Sequence, residues 1–176
     1  RVDEEGANRM RREFWLRYGT TLNGLMRHHG TDPRRFLDET HVFPELAELV
    51  VHENALKHAL ARLGGMKLVF SNAPRRYVEG VLQAIGLGRY FHAVYTIEDT
   101  RYRGKPALHG FRMLLRKHNL DARRCAFVDD VLDNLRTARR LGMSTVWVSG
   151  AKRRVPFVDL RVASILELPR LVFRYG

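Results

Sequence analysis

The sequence has one cysteine, few lysines and no long hydrophobic run, and each scarcity narrows what the protein can be. The single Cys125 cannot form an internal disulfide, which fits a reducing compartment. No run reaches the roughly 18 apolar residues of a membrane span. The N-terminal segment is charged and amphipathic, unlike a secretory signal peptide. We therefore expect a cytoplasmic protein without a membrane partner.

Acidic residues are also scarce relative to basic ones, with 19 Asp and Glu against 31 Lys and Arg and a net charge of +12. The arginines are spread along the chain in pairs such as Arg75–Arg76 and Arg139–Arg140, and no dense basic block with interleaved aromatics occurs. Because no nucleic-acid-binding signature accompanies the charge, the pattern disfavours nucleic acid as the main partner. A positive field of this kind would instead draw a small phosphorylated substrate towards a cleft.

The chain changes character near residue 48. Its 176 residues, 45% of them hydrophobic, suffice for one sizeable core and a small appended subdomain. Residues 1–48 predict an all-helical segment, with helices over 7–18, from Thr20 or Thr21 to 29, and from Asp32–Pro33 onward. Residues 49–176 predict strands at 67–70, 93–97, 125–128 and 144–148, an edge strand at 162–165, and helices at 53–63, 74–85, 106–118 and 131–141. This alternation predicts an α/β fold with a parallel sheet covered by helices on both faces.

Two adjacent carboxylates, Asp129 and Asp130, follow the predicted buried strand 125–128. Carboxyl ends of parallel strands are where open α/β sheets bind ligands. Paired acids repel each other unless a cation lies between them, and hard oxygen ligands suit Mg²⁺. Two solvated loop acids would give the same pattern. The acidic pair therefore indicates a binding site only in combination with the other loops at strand ends.

Two further loops at strand ends contain residues suited to binding an anion. Ser71 and Asn72 follow the strand 67–70, and Pro74 suits the first turn of the next helix, whose free N–H groups would attract an anion. Ser71 or Asn72 as a simple helix cap is the plainer interpretation. Lys105 precedes Pro106 at the start of another predicted helix and is one of five lysines in the chain. Its ammonium could neutralise developing phosphoryl charge, although a single surface lysine would fit the same position.

The order and spacing of these residues resemble the second, third and fourth motifs of the haloacid dehalogenase (HAD) superfamily. Ser-Asn follows one strand, Lys-Pro follows later, and Asp-Asp-x-x-x-Asn, ending at Asn134, follows a further strand. The resemblance implies a HAD-like parallel sheet of the Rossmann type with a small helical cap. It covers nearly the whole chain.

The helical segment is similar to the cap of the pyrimidine 5′-nucleotidase branch of that superfamily. The matching residues are Tyr18-Gly19-Thr20-Thr21-Leu22, Gly24-Leu25-Met26, and His41 followed by Pro44. The stretches LGRYFHAVYTIED (87–99) and NLRTARRLGMSTVWV (134–148) fit the same branch. This resemblance implies a Mg²⁺-dependent hydrolase of nucleoside 5′-monophosphates such as UMP or CMP, and a small nucleotide as its partner.

The resemblance also implies a role for each candidate residue. Ser71 would bind phosphoryl oxygens and Asn72 would orient the substrate or the nucleophile. Lys105 would hold nucleophile and phosphoryl group together. Asp130 would ligate Mg²⁺, with Asp129 as a possible co-ligand and Asn134 supporting them. In the cap, Tyr18 or Met26 would lie near the nucleotide base, although both side chains could equally be cap core.

The superfamily's first motif, Asp-x-Asp-x-Thr, is absent from these 176 residues. That motif supplies the nucleophilic Asp and the general acid/base, so we expect this chain to lack turnover by itself and to be missing an N-terminal segment. By the resemblance, the missing strand is central and lies between 67–70 and 125–128. We therefore expect these two strands to be unpaired and about 9–10 Å apart, two strand spacings.

Two other functions fit the same residues. One is a metal-independent haloacid dehalogenase on the same fold, against which the acidic pair argues, because halide release does not require a cation. The other is a binding or regulatory module that has lost its nucleophile. The sequence leaves base preference and oligomeric state open.

Overall fold

A computed structural model of the protein describes residues 3–50 and 54–169. The N-terminal part is helical. It consists of α1 (Glu4–Tyr18), α2 (Thr21–His29), α3 (Pro33–Thr40) and the short α4 (Leu46–Leu49). The predicted starts of α2 and α3 are confirmed: Thr20 accepts a hydrogen bond from the Asn23 N–H, and Asp32 accepts one from the Arg35 N–H.

Helices α1 and α2 pack closely because a glycine lies where they meet. A Cβ on Gly24 would lie 2.2 Å from Cγ of Phe14, so no larger residue fits without moving that buried ring. Leu22 and Leu37 bury their side chains against Ile97, which follows the second strand. The helical part is therefore joined to the rest of the molecule through a small apolar cluster.

The remainder of the chain alternates helices and strands, as predicted. The helices are α5 (Asn54–Arg62), α6 (Arg75–Ala84), α7 (Leu108–Lys117) and α8 (Leu132–Arg140). The strands are β1 (Leu68–Phe70), β2 (Ala93–Tyr95), β3 (Ala126–Asp129), β4 (Ser144–Val148) and β5 (Leu160–Val162). Every strand pairing is parallel, which confirms the α/β fold class.

The strands form two separate ladders. One has the order β1-β2 and the other β3-β4-β5. Within residues 3–50 and 54–169, β1 and β3 share no ladder, as the sequence analysis predicts for these two strands. Aromatic side chains connect the sheets instead: the ring centroids of Phe70 and Phe127 lie 6.4 Å apart, and both rings contact Phe111 of α7.

Some element boundaries differ from the sequence prediction. The edge strand is β5 at Leu160–Val162, not 162–165, because Ser164 caps a 3₁₀ turn over Ile165–Glu167 through a capping box. Helix α7 begins at Leu108, after the predicted start at residue 106. The predicted helix start at residue 53 lies outside the described residues. The short helix α4 lacks an N-terminal side-chain cap, and the sequence analysis missed it.

In the described part of the chain, no helix is both long enough and apolar enough to cross a membrane.

A carboxylate in the loop after β2 connects the first residue of α6 with the last residue of α7. Asp99 accepts hydrogen bonds from the Thr96 N–H and hydroxyl and forms ion pairs with Arg75 of α6 and Lys117 of α7. Burial alone would raise the pKa of Asp99, but these hydrogen bonds and cations outweigh it and hold the pKa below its ordinary value of 3.8. The charged carboxylate is therefore the form that stabilises the fold.

We predict that Asp99 makes stability depend on pH in the acid range. A carboxyl group with a lowered folded-state pKa contributes stability above its unfolded pKa, and this contribution is lost as the pH falls through the folded value. Asp99→Asn should lower the free energy of unfolding at pH 7 by about 1–2 kcal/mol, and by much less at pH 3. Urea unfolding at both pH values measures the difference.

Glu39→Gln is the matched control for Asp99, because Glu39 pairs with Arg35 on the surface of α3, where both side chains are largely exposed. It should change stability by less than about 0.5 kcal/mol at either pH. An equal loss for Asp99→Asn at pH 7 and pH 3 would show that the charge of Asp99 does not contribute.

Candidate active site

The predicted loops converge at the carboxyl ends of β1 and β3. Lys105, from the loop between β2 and α7, extends its side chain to Asp129, the last residue of β3. Lys105 Nζ lies 2.8 Å from Asp129 Oδ2, and the two side chains are only 13% and 6% exposed. A lysine and an aspartate 24 residues apart in sequence therefore form a largely buried ion pair.

Asp129 is held on its other oxygen as well. Its Oδ1 accepts hydrogen bonds of 2.9 Å from the Val131 N–H and from Asn134 Nδ2. Asn134 lies on the first turn of α8, and its side chain is buried. Both carboxylate oxygens of Asp129 are thus occupied by N–H donors, and the carboxylate has a fixed orientation towards Lys105.

Two aromatic rings surround the Lys105 ammonium. Lys105 Nζ lies 5.3 Å from the centroid of Phe70 on β1 and 5.5 Å from that of Phe127 on β3. Ring faces attract a cation and exclude water from it, so the charge is both held and partly desolvated. The side chain of Lys105 therefore lies where the two ladders approach each other.

Asn72 fixes the backbone of Lys105. Asn72 Nδ2 donates to the Lys105 carbonyl at 2.8 Å, and the Lys105 N–H donates to Asn72 Oδ1 at 2.7 Å. Gly104 permits this pair of bonds, because a Cβ there would lie 2.3 Å from Asn72 Oδ1. The resemblance implied that Asn72 orients the substrate or the nucleophile. The geometry adds a third role, because Asn72 positions the loop that carries Lys105.

The start of α6 does not provide the free N–H groups that the sequence analysis expected for anion binding, whereas Ser71 keeps a hydroxyl proton to donate. The Ser71 hydroxyl oxygen accepts a bond from the Ala73 N–H at 3.1 Å, which leaves the hydroxyl proton to donate. Pro74 has no N–H, and the Arg75 N–H donates to Glu98 Oε1 at 2.9 Å. The first N–H of α6 is therefore taken by a protein carboxylate and is not free to bind an anion there.

The acidic pair divides into one buried and one exposed residue. The carboxylate of Asp130 is exposed, while its backbone carbonyl accepts a bond from Trp147 Nε1 at 3.0 Å. Residues 3–50 and 54–169 contain no cluster of three or more His, Cys, Asp or Glu side chains suited to a metal ion. Because N–H donors occupy Asp129, only the Asp130 carboxylate is open to a cation. These residues by themselves do not complete a Mg²⁺ site.

A cavity of about 400 Å³ opens between the helical part and the β1 loop. Asn72 and Ile97 line one side, and residues of α1, the α1–α2 turn and α3 line the other. Gly19, in that turn, also packs against Pro106, since a Cβ on it would lie 2.5 Å from Pro106 Cδ. The cavity therefore adjoins the loop that carries Lys105.

The two cap residues predicted to approach a nucleotide base do not line this cavity. Met26 packs against the apolar cluster of Leu22, Leu37 and Ile97. The Tyr18 hydroxyl hydrogen-bonds with His28 Nε2 on α2. His41, of the His-x-x-Pro match, does line the cavity, and burial lowers the pKa of its imidazole below the ordinary value.

Sequence reasoning missed three contributors to the site. Phe70 ends β1 and Phe127 lies within β3, and aromatic residues in strands look like ordinary core in a sequence. Glu98 follows the strand 93–97 and could have been suspected as a cap acceptor, but its partner lies 23 residues away. The ion pair of Lys105 with Asp129 had a clear signal, because the two loops were already expected to converge.

The architecture is similar to that of known hydrolases. The L-2-haloacid dehalogenase from Xanthobacter autotrophicus with chloropropionic acid covalently bound gives a TM-score of 0.69 at 17% identity, over 97% of this chain and 84% of that one. The HAD phosphatase from Thermococcus onnurineus gives 0.69 at 19% identity, over 96% and 80%. At these identities the similarity shows the fold alone.

The sequence itself defines the class. Residues 5–142 match the sequence profile of a hydrolase family described as haloacid dehalogenase-like hydrolase. A match of this extent, on a fold of α/β layers with parallel strands, confirms the resemblance at the level of the superfamily. The chain belongs to the haloacid dehalogenase-like hydrolase family.

We predict that Asn72 acts on catalysis by positioning Lys105. Asn72→Ala removes both bonds to the Lys105 backbone, and a displacement of about 1 Å at a reacting group can cost about 10²-fold in rate. We expect kcat of the catalytically competent protein to fall by about that factor. Asn72→Asp should be no better, because its second oxygen would face the Lys105 carbonyl.

Asn54→Ala is the matched control for Asn72, because Asn54 is an exposed asparagine at the start of α5, remote from Lys105. It should leave kcat unchanged. Retention of full kcat by Asn72→Ala would rule out the positioning role.

Proposed function

We propose that the protein hydrolyses phosphomonoesters, with nucleoside 5′-monophosphates of the UMP and CMP type as substrates. The observation that carries the proposal is the desolvated Lys105 ammonium, held by Asp129 and by two rings at the carboxyl ends of β1 and β3. A fixed cation in a partly dry site stabilises charge that develops on a transferring phosphoryl group. The cap resemblance around Tyr18–Met26 supports a nucleoside as the leaving group.

Each residue of this chain contributes a defined interaction to that reaction. Lys105 holds the nucleophilic carboxylate and a phosphoryl oxygen close together, and Asp129 and Asn72 fix the lysine. The Ser71 hydroxyl donates to another phosphoryl oxygen. Asn134 keeps the Asp129 carboxylate oriented. None of these groups is itself the nucleophile.

The nucleophile, by the family pattern, is an Asp at the end of a strand between β1 and β3. The facing edges of these strands share no ladder in the described part, and backbone groups of a buried strand edge need partners. We propose that a strand from outside residues 1–176 completes the sheet there. Its carboxylate attacks phosphorus, the bond to the 5′-oxygen breaks, and the leaving oxygen is protonated by the second acid of that motif. Water then splits the aspartyl-phosphate into phosphate and free carboxylate.

Magnesium dependence is part of the same proposal. The Asp130 carboxylate is exposed at the strand end and is the ligand this chain offers, with the missing motif expected to supply further oxygens. A bound Mg²⁺ would neutralise phosphoryl charge alongside Lys105. The division into a cap over residues 1–48 and a core over 49–176 also belongs to the proposal. The boundary falls within α4, where the chain leaves the helical part.

Metal-independent dehalogenation is the second candidate function, and one observation favours it. Both carboxylate oxygens of Asp129 accept hydrogen bonds, from Lys105, Asn134 and the Val131 N–H. This arrangement needs no metal ion. The two functions differ in their need for metal and in the bond that breaks.

We predict that the full-length gene product releases phosphate from UMP and CMP in Mg²⁺ and loses this activity in EDTA. Asp130→Asn should lower kcat by about 10²-fold, the usual scale for removing one electrostatic stabiliser. Malachite-green detection of phosphate measures hydrolysis of the phosphate esters, and chloride release from 2-chloropropionate measures dehalogenation. Asp133→Asn, an exposed acid on α8, is the matched control and should retain activity.

The outcomes separate the candidate functions. Metal-independent chloride release without phosphate release would replace the phosphatase by the dehalogenase. UMP binding without release of either product would indicate a non-catalytic module. The codons upstream of Arg1 in the native gene provide an independent check, because the proposal requires Asp-x-Asp-x-Thr there.

We predict that Lys105 cannot be replaced by arginine. A planar guanidinium does not fit the compact position between Phe70, Phe127 and Asp129, so Lys105→Arg should lower kcat/KM for UMP at least about tenfold. Lys152→Arg, on the exposed surface, should not change kcat/KM. Wild-type kcat/KM in Lys105→Arg would show that the ammonium is not part of the site.

A further inference from the structure

One wall of the 400 Å³ cavity beside Asn72 contains a tryptophan and an arginine from the same face of α1. Arg11 and Trp15 are four residues apart, so their side chains are neighbours on the helix surface. Trp15 is 52% exposed although it is a large aromatic residue. Phe36 of α3 also lines the cavity. The cavity wall therefore contains both an exposed aromatic ring, that of Trp15, and a cation, that of Arg11.

The backbone of Arg11 is hydrogen-bonded to α2, whereas its guanidinium has no carboxylate partner among the described residues. The Thr21 hydroxyl donates to the Arg11 carbonyl at 3.3 Å, which ties α1 to the start of α2. Arg9 on the same helix pairs with Glu5 at 2.8 Å, whereas among residues 3–50 and 54–169 no carboxylate lies within 4.0 Å of the Arg11 guanidinium. The described lining contains no Asp or Glu.

The cavity is also connected to the phosphoryl site. Asn72 both lines it and holds the backbone of Lys105. Gly19 lines it and packs against Pro106. Asn72 and Gly19 therefore place one wall of the cavity against the loop that carries Lys105, where the proposed phosphoryl group would bind.

We propose that Arg11 and Trp15 form the subsite for the leaving group of the substrate, in which Trp15 stacks on a nucleobase and Arg11 donates to a ring carbonyl oxygen. This inference rests on the proposed phosphomonoesterase function and assigns its specificity to two residues. Stacking on an aromatic side chain accepts any flat base, whereas the guanidinium requires an acceptor. The subsite thus favours nucleotides whose base carries a carbonyl group, as pyrimidines do.

The test compares UMP with ribose 5-phosphate, which has the same phosphate and sugar but no base. Steady-state phosphate release by the full-length gene product gives kcat and KM for both esters. Trp15→Ala should raise KM for UMP by about tenfold and leave kcat within about twofold. It should not change either constant for ribose 5-phosphate. Arg11→Ala should raise KM for UMP by a smaller factor, again with ribose 5-phosphate unaffected.

Conservative and neighbouring variants separate recognition from folding. Trp15→Phe keeps an aromatic face and should restore most of the affinity for UMP. Arg12→Ala and Leu16→Ala remove the adjacent exposed side chains of α1, neither of which lines the cavity, and should change nothing. Uridine should also quench the tryptophan fluorescence of the wild type and not that of Trp15→Phe, which gives a reading independent of turnover.

The failures of the two proposals are distinguishable. If the wild type hydrolyses both esters and Trp15→Ala leaves their KM values unchanged, the subsite is overturned and the phosphatase function stands. An equal rise in KM for both esters would also overturn the subsite, because a general disturbance of the cap has no base dependence. If the wild type releases phosphate from neither ester, the proposed function fails, and the leaving-group subsite fails with it.

Discussion

The ion pair of Lys105 with Asp129 is the contact on which the rest of the site depends. It lies between two parallel ladders that do not pair with each other, and the rings of Phe70 and Phe127 shield it from water. A partly buried cation is costly unless a carboxylate and hydrogen bonds compensate it. Asp129 provides the carboxylate, and Asn134 fixes that carboxylate in place.

The surrounding structure explains why the lysine is so well defined. Asn72 bonds to both polar groups of the Lys105 backbone, Gly104 leaves room for the amide, and Gly19 lets the N-terminal helical part approach Pro106. Asp99 connects the start of α6 to the end of α7 through its ion pairs with Arg75 and Lys117. The N-terminal helical part and the ends of β1 and β3 therefore meet around the loop that carries Lys105, so a change in any of them can displace the ammonium group.

Membership of the haloacid dehalogenase-like hydrolase family and the parallel α/β fold could be predicted from the sequence, because both depend on local signals. Asp32–Pro33 specifies a helix start, and β4 occupies the predicted span of 144–148. The order of Ser71, Lys105 and Asp129 along the chain was sufficient to predict the family. The position of β5 was predicted less well, since the capping box of Ser164 and Glu167 competes with a strand of weak pattern.

The sequence by itself determined which side chains could take part: an acidic pair, a lysine before proline, and a serine with an asparagine at strand ends. Only the tertiary structure decided their partners. It made Asp129 the partner of Lys105 and left Asp130 exposed, placed Met26 in an apolar cluster, and turned Arg11 and Trp15 towards the cavity. The physical reason is that propensity and periodicity act over a few residues. Ion pairing, ring contacts and cavity walls depend on which distant segments the packing brings together.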